Sequence, residues 1–199
     1  VFLYVSGANT QVIAYEGNKY RIFGETLDQG IGNILDSFAR YIGLGFPGGP
    51  KIYELSKNGS YVELPYSVKG MDVSFSGLLT NIKQKYDSGY KKEDLSYSLQ
   101  ENTFAMLIEV SERAMSHTNK NELLLGGGVD CNLRLQEMAK IMCHDRNAKF
   151  FVPENEFLID NGAMIAWLGY LMYKSGIRMT SKPDINPNER TDDVDVTWI

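Results

Sequence analysis

The sequence predicts an α/β fold. Three observations carry that reading: three short apolar runs joined by turn clusters at the start, a later alternation of strand-like and helix-periodic segments, and glycine-rich turns where those segments meet.

Phe2 to Val5 is an apolar run ended by the turn cluster Ser6-Gly7-Ala8-Asn9. Gln11 to Tyr15 follows, then the turn Glu16-Gly17-Asn18, then Tyr20 to Phe23. Two tight turns joining three strands predict an antiparallel meander. Gly32-Asn33 opens a helix whose buried face is Ile31, Leu35, Phe38 and Ile42 at helical spacing. Gly43, Gly45 and Pro47-Gly48-Gly49-Pro50 are expected to end it, and 51–97 reads as mixed, broken at Gly70, Gly77 and Gly89. Lys83 to Lys92 reads as solvated.

Ser98-Leu99-Gln100-Glu101 matches a capping box, in which Ser and Glu each satisfy an orphan backbone N–H. The helix after it carries Leu99, Thr103, Met106, Val110 and Ala114 on one stripe. Leu123 to Leu125 reads as a short buried strand running into Gly126-Gly127-Gly128. A helix over about Asn132 to Cys143 follows, with Leu135, Met138, Ala139 and Met142 on one side, then a strand at Phe150 to Val152. Asp160-Asn161-Gly162 is expected to cap a long helix with Met164, Trp167, Leu168 and Leu171 inward. The tail from Ser181 is polar and irregular.

The 199 residues suffice for one compact domain. A hydrophobic fraction of 43% excludes disorder. The formal net charge of -5 argues against a free-standing nucleic-acid binder, although lysines such as Lys83, Lys85, Lys91 and Lys92 cluster locally. Cys131 and Cys143 form no Cys-x-x-Cys pair, which suits a reducing, cytosolic setting. No apolar run approaches bilayer length, so no membrane partner is expected. The chain opens directly on a strand without an initiator Met, which predicts one segment of a longer protein.

Chemistry concentrates at the turns. Tyr4-Val5-Ser6-Gly7-Ala8-Asn9 offers backbone N–H groups and a hydroxyl to an anion, and is equally an ordinary hairpin turn. Gly126-Gly127-Gly128 lets a ligand approach the backbone ahead of a helix N-terminus. A Cβ at Gly127 is expected to stand between backbone and ligand. Asp130 in this loop would repel a phosphate, so a ribose or adenine contact through Asn132 is the easier expectation; a plain connector is the alternative. Asp160 is a hard-oxygen metal donor or simply an N-cap. Asp36 lies off its helix's apolar stripe, within reach of a ribose hydroxyl or merely solvated. His117 and His144 make no ligand pair and read as surface residues. Without His-Glu-x-x-His or Gly-x-Ser-x-Gly, protease and α/β-hydrolase readings lack support.

These turns, in this order, resemble one family. Tyr4 to Gln11 is similar to its Tyr-Val-Ser-Gly-Gly-Asn-Thr-Gln signature. Phe23 to Asp28, Leu35 to Arg40, Leu64 to Asp72, Phe75-Ser76-Gly77, Gly127-Gly128-Val129 with Cys131-Asn132, Arg134 to Met138, Asp160 to Ala166 and Arg190-Thr191-Asp192 match it as well. The family is the threonylcarbamoyl transferase of the KEOPS complex, in its archaeal and eukaryotic cytosolic form, once labelled an O-sialoglycoprotein endopeptidase. The resemblance implies the actin-like ATPase fold shared by actin, heat-shock chaperones and sugar kinases. Residues 1–199 would be its C-terminal portion with a helical insertion, and the N-terminal lobe would lie outside this chain.

The resemblance also implies a reaction: transfer of threonylcarbamoyl from threonylcarbamoyl-adenylate to the exocyclic amine of the adenine beside the anticodon, in tRNAs reading codons that begin with A. Tyr4, Val5, Ser6, Gly7, Ala8, Asp36, Gly49, Tyr53, Gly127, Gly128 and Asn132 would hold the adenylate or ATP. One divalent metal per subunit, iron or zinc, would be held by Asp160 and Tyr4 with a His pair upstream of Val1, so the chain alone should be inactive. Implied partners are tRNA, a kinase-like ATPase subunit and a small dimerising subunit, in the cytoplasm (and nucleus, if eukaryotic). Three residues depart from the family pattern. Ala8 replaces a Gly, Tyr53 stands where a ribose-binding Glu is usual with Glu54 one step along, and Asp130 replaces a small residue. They motivate an alternative: a diverged, non-catalytic nucleotide-binding subunit of the same complex.

Overall fold

The computed structural model describes residues 1–178 and 185–198. Residues 179–184, which include Ser181 at the head of the predicted polar tail, and Ile199 lie outside the described residues.

The three predicted strands form the meander: β1 (Phe2–Val5), β2 (Thr10–Glu16) and β3 (Lys19–Glu25). Its second turn uses Gly17 and Asn18, both at positive φ, as a tight hairpin requires. Helix α1 (Ile31–Tyr41) follows. The Pro-Gly-Gly-Pro cluster then does more than end α1. It opens helix α2 (Gly48–Ser56), because Pro and the small residues suit a first helical turn whose amides need no intrahelical partner. A two-stranded ribbon, β4 (Val68–Lys69) and β5 (Asp72–Val73), turns at Gly70.

Helix α3 (Ser76–Asp87) contains Gly77 in its first turn, so that glycine breaks nothing. Its N-terminus is held from a distance by Asp28, which accepts from the Phe75 and Ser76 amides and the Ser74 hydroxyl. Burial pushes that carboxyl up, but these bonds and one from Gln29 outweigh it and hold Asp28 below the usual carboxylate range.

Helix α4 (Lys92–Thr118) starts two turns before the predicted capping box. Ser98 is therefore mid-helix: its Oγ donates to the Asp94 carbonyl and accepts from the Val62 amide at 2.7 Å. Glu93 and Asp94 supply the negative charge that a helix N-terminus favours. The remaining elements are β6 (Glu122–Gly126), α5 (Leu133–Asp145), β7 (Lys149–Phe151), α6 (Asn155–Leu158) and α7 (Gly162–Lys174).

The main sheet has the order β3-β2-β1-β6-β7, with β6 and β7 parallel to β1 and the meander antiparallel. Alternate strand residues face opposite sides. Leu3, Val5, Leu123 and Leu125 are fully buried in one core with Ile34 and Phe38 of α1, Leu107 and Val110 of α4, and Leu135 and Ala139 of α5. The predicted stripes of α1 and α4 are buried as expected.

Two apolar assignments differ. Leu124, the middle residue of the strand read as buried, is 41% exposed, because it alternates onto the far face. Helix α7 buries none of its residues, so Met164, Trp167, Leu168 and Leu171 do not point into this core. Within residues 185–198, Asp195 bridges to Lys19 of β3, and Arg190 pairs with Glu25 at 3.1 Å.

Candidate functional site

Two clefts open at the C-terminal ends of β1 and β6, where the glycine turns lie. One has a volume of about 470 Å³ and is lined by Gly7, Gly32, Asp36, Phe46, Gly49, Tyr53, Gly128 and Asn132 among others. The second, about 440 Å³, is lined by Tyr4, Ser6, Gly7, Gly126, Gly127, Gly128, Asp160 and Met164 among others. Gly7, Gly128 and Ile159 belong to both, so the two clefts meet there.

Helix α1 is docked tightly on the first turn. The Ser6 and Gly7 carbonyls accept from the Gly32 and Asn33 amides, and Thr10 Oγ1 accepts from Ile31 N. A Cβ on Gly32 would meet the Gly7 backbone. The amides that begin α1 are thus already engaged by protein. Asp36, one turn further on, accepts from the Gly48 amide at 2.7 Å and so fixes the start of α2. Gly49 and Tyr53, on the helix that begins there, line the first cleft.

The three glycines have three different reasons. A Cβ at Gly126 would meet the Phe2 ring, and one at Gly127 (φ +116) would run into the Val5 carbonyl. A Cβ at Gly128 meets nothing nearer than Ile159 at 3.8 Å, and Gly128 is the exposed one. The expectation that a Cβ at Gly127 stands between backbone and ligand is therefore corrected: it collides with β1 instead.

Asn132 caps α5. Its Oδ1 accepts from Arg134 N at 2.9 Å and Leu135 N at 3.4 Å. Its Nδ2 donates to Gln100 Oε1 at 2.9 Å, and Gln100 Nε2 reaches Ser56 Oγ at 3.3 Å, which donates to the Tyr53 carbonyl at 2.7 Å. A buried polar chain therefore ties α5 through α4 to α2, linking both walls of the first cleft. Sequence reading missed Gln100 and Ser56. The signal was present, since Phe104 and Leu107 place apolar side chains four and seven residues after Gln100, on a buried face.

Asp130 is fully buried and lines neither cleft. Burial pushes its carboxyl well up, the nearby Gly126 amide offsets this only in part, and neither oxygen meets a hydrogen-bond partner. Such a group favours its neutral form. The expected repulsion of a phosphate by Asp130 is thereby removed. Cys131 lines the first cleft, and burial raises its thiol pKa.

Of the other anticipated residues, Val5 is buried in the core and Ala8 is exposed, and neither lines a cleft. Ala8 is not among the residues at positive φ, so it carries no left-handed strain. Glu54 is turned to Lys57 at 2.8 Å, leaving Tyr53 as the cleft residue. His117 and His144 are exposed.

Asp160 and Tyr4 share the second cleft, and neither side chain has a hydrogen-bond partner among the described residues. The cap of α7 is Asn161, whose Oδ1 accepts from Met164 N at 3.0 Å; this displaces Asp160 from the expected N-cap role. Among the described residues no group of three His, Cys, Asp or Glu is placed to hold a metal. A phenol and one carboxylate are two hard oxygen donors, short of the three protein ligands usual at a catalytic site. By themselves they do not fit a resident metal.

Among the described residues no helix is long and apolar enough to cross a membrane. A family model described as tRNA N6-adenosine threonylcarbamoyltransferase matches residues 1–167. The protein of that name from Thermococcus sibiricus is 59% identical over 201 residues, covering 100% of this chain and 62% of its own. A "Probable bifunctional tRNA threonylcarbamoyladenosine biosynthesis protein" from Methanocaldococcus jannaschii is 59% identical over 199 residues, covering 99% of this chain and 37% of its own. The chain thus spans less than two thirds of the length of these relatives. A full-length HypF structure in its phosphate- and nucleotide-bound form aligns with a TM-score of 0.62 at 12% identity, over 77% of this chain and 30% of that one. With that likeness, the fold is the actin-like ATPase fold expected from the sequence.

Proposed function

The chain belongs to the tRNA N6-adenosine threonylcarbamoyltransferase family, and from that premise we propose that it forms part of an enzyme carrying threonylcarbamoyl from its adenylate to tRNA. The observation that carries the reading is the meeting of two clefts at Gly7 and Gly128. An acyl-adenylate has two unlike ends joined by a phosphate, and the arrangement suits that shape.

In this reading the nucleoside lies in the first cleft. Asp36, Gly49, Tyr53 and Asn132 line it, with Asp36 or Asn132 toward the ribose. The phosphate sits at the junction, where Gly7 and Gly128 allow close backbone approach. The threonylcarbamoyl end reaches the second cleft beside Tyr4 and Asp160.

The adenine N6 amine attacks the carbamoyl carbonyl carbon. A C–N bond forms, the C–O bond to phosphate breaks, AMP leaves, and the amine loses one proton. Backbone N–H groups at the glycine turns would stabilise the charge that develops on the leaving phosphate. A divalent metal, iron or zinc, would need ligands beyond Tyr4 and Asp160.

The acceptor is tRNA. Its polyanionic surface is not matched by a chain of net charge -5, so the remaining length of the protein and the kinase-like and small dimerising subunits are proposed to supply positive surface. The setting is cytoplasmic. The non-catalytic alternative loses two of its three motives, because Ala8 is unstrained and Asp130 is off the cleft. Calorimetric titration of the full-length protein with ATP tests the nucleotide cleft: binding that is lost on Tyr53→Ala supports it, and no adenine nucleotide binding refutes it.

A further inference from the structure

The net charge of -5 is an average over the chain, and one surface departs from it. It lies where the C-terminal ends of α1 and α3 meet, at the Tyr41 and Tyr86 rings, and continues to the start of α4. Lys83 and Lys85 stand on α3, and Lys91 and Lys92 at the head of α4. The Tyr90 amide closes the turn between them by donating to the Lys85 carbonyl at 3.2 Å, so the two pairs are contiguous. Lys19, Lys57, Lys120 and Lys149 each pair with a carboxylate, whereas among the described residues Lys83, Lys85, Lys91 and Lys92 do not. Two carboxylates of the same stretch are engaged elsewhere: Asp87 accepts from the Tyr41 hydroxyl at 2.8 Å, and Asp94 from the Ser60 amide at 2.8 Å.

Two features set these lysines apart from ordinary solvated charge. Lys83 Nζ lies 5.1 Å from the centroid of the Tyr41 ring and Lys85 Nζ 5.0 Å from that of Tyr90, on rings 42% and 45% exposed. A cation held on a ring has less rotamer freedom to lose when it meets a partner. Lys91 and Lys92 oppose the local dipole, because a helix N-terminus favours negative charge. Helix stability therefore accounts for Lys85 in the last turn of α3 and not for the pair at the head of α4.

We propose that Lys83, Lys85, Lys91 and Lys92 form a contact surface for the phosphate backbone of the acceptor tRNA. Four contiguous ammonium groups without carboxylate partners suit a polyanion, and phosphate contacts of this kind position an RNA whatever its sequence. Their place suits it as well. Helix α1 runs from the junction of the two clefts, where Gly32 packs on Gly7, to Tyr41 beneath Lys83. At about 1.5 Å per residue that span is about 14 Å. A folded tRNA is much larger, so an adenine held beside Asp160 leaves neighbouring phosphates able to bridge the distance. The inference rests on the transferase reading, which makes tRNA the acceptor, and adds the surface of this chain that meets it.

The test is binding of an unmodified tRNA transcript, one reading codons that begin with A, to the full-length polypeptide, followed by fluorescence anisotropy across a salt series. Replacing all four lysines by alanine is expected to weaken binding at least about tenfold at physiological salt. The slope of log affinity against log salt should become shallower by about one per lysine. ATP affinity by calorimetry should not change, since none of the four lines either cleft. Lys91→Ala with Lys92→Ala leaves both tyrosine rings covered and is expected to give about half of the slope change; it decides the matter should the fourfold variant fail to fold. Variants with the affinity and slope of the parent overturn the proposal alone. A parent that does not bind tRNA overturns it together with the transferase reading. Loss of a protein subunit from the complex, with tRNA affinity kept, assigns the surface to a protein and also overturns it.

Discussion

Gln100, buried in the middle of α4, accepts a hydrogen bond from Asn132 Nδ2 at 2.9 Å and thereby joins the glycine loop to the wall that carries Tyr53. Gln100→Leu leaves the Asn132 donor and the Ser56 hydroxyl without that partner, at a cost of about 1–3 kcal/mol. It is expected to weaken ATP binding by the full-length protein about tenfold, which corresponds to about 1.4 kcal/mol. Gln100→Glu keeps an acceptor for Asn132 and should recover most of the affinity. Equal affinity of Gln100→Leu and the parent by calorimetry would remove the bridge from the account.

The glycines of the β6 loop should separate fold from ligand. Gly127→Ala forces a Cβ into the Val5 carbonyl at φ +116, so thermal melting should drop sharply. Gly128→Val has room beside Ile159 and should melt near the parent while losing nucleotide affinity. The reverse pattern, with Gly127→Ala stable and Gly128→Val unfolded, would contradict this assignment.

Asp130 titrates against the fold. Burial raises its folded pKa above the unfolded value of about 3.9, so its contribution is fully present below that pH and is lost as pH rises toward the folded pKa. A tenfold difference in proton affinity between the folded and unfolded chains is worth about 1.4 kcal/mol. Asp130→Ala should therefore melt higher than the parent at pH 8, with the gap closing at pH 4. A gap that does not change with pH would show that the carboxyl is not held neutral.

Asp160 and Asn161 divide two tasks that the sequence leaves merged. Asn161→Ala removes the α7 cap and should cost about 1 kcal/mol. Asp160→Ala should leave melting unchanged and abolish transfer by the full-length protein. Near-normal turnover by a folded Asp160→Ala protein would remove Asp160 from the site.

Local patterns made much of this legible. The meander, α1, α5 and the turn positions follow from apolar periodicity and turn chemistry, and Gly7, Asp36, Gly49, Tyr53, Gly128 and Asn132 come to one cleft. What was not legible depends on partners distant in sequence. Ser98 reads as a cap because the motif is local, whereas the Val62 amide that occupies it lies 36 residues away. Gly127 reads as a ligand contact because the crowding from Val5 comes from another strand. Trp167 and Leu168 read as inward because an apolar helix must bury itself somewhere, and the pattern does not say against what.

The central claim is best tested by product. The full-length protein, with the kinase-like and dimerising subunits, is incubated with threonylcarbamoyl-adenylate and a tRNA reading codons that begin with A. Nucleosides from the digested tRNA are then identified by mass spectrometry. N6-threonylcarbamoyladenosine is expected beside the anticodon, matched by AMP release and absent with Asp160→Ala. Adenylate that binds in the cleft while no modified nucleoside forms would contradict it.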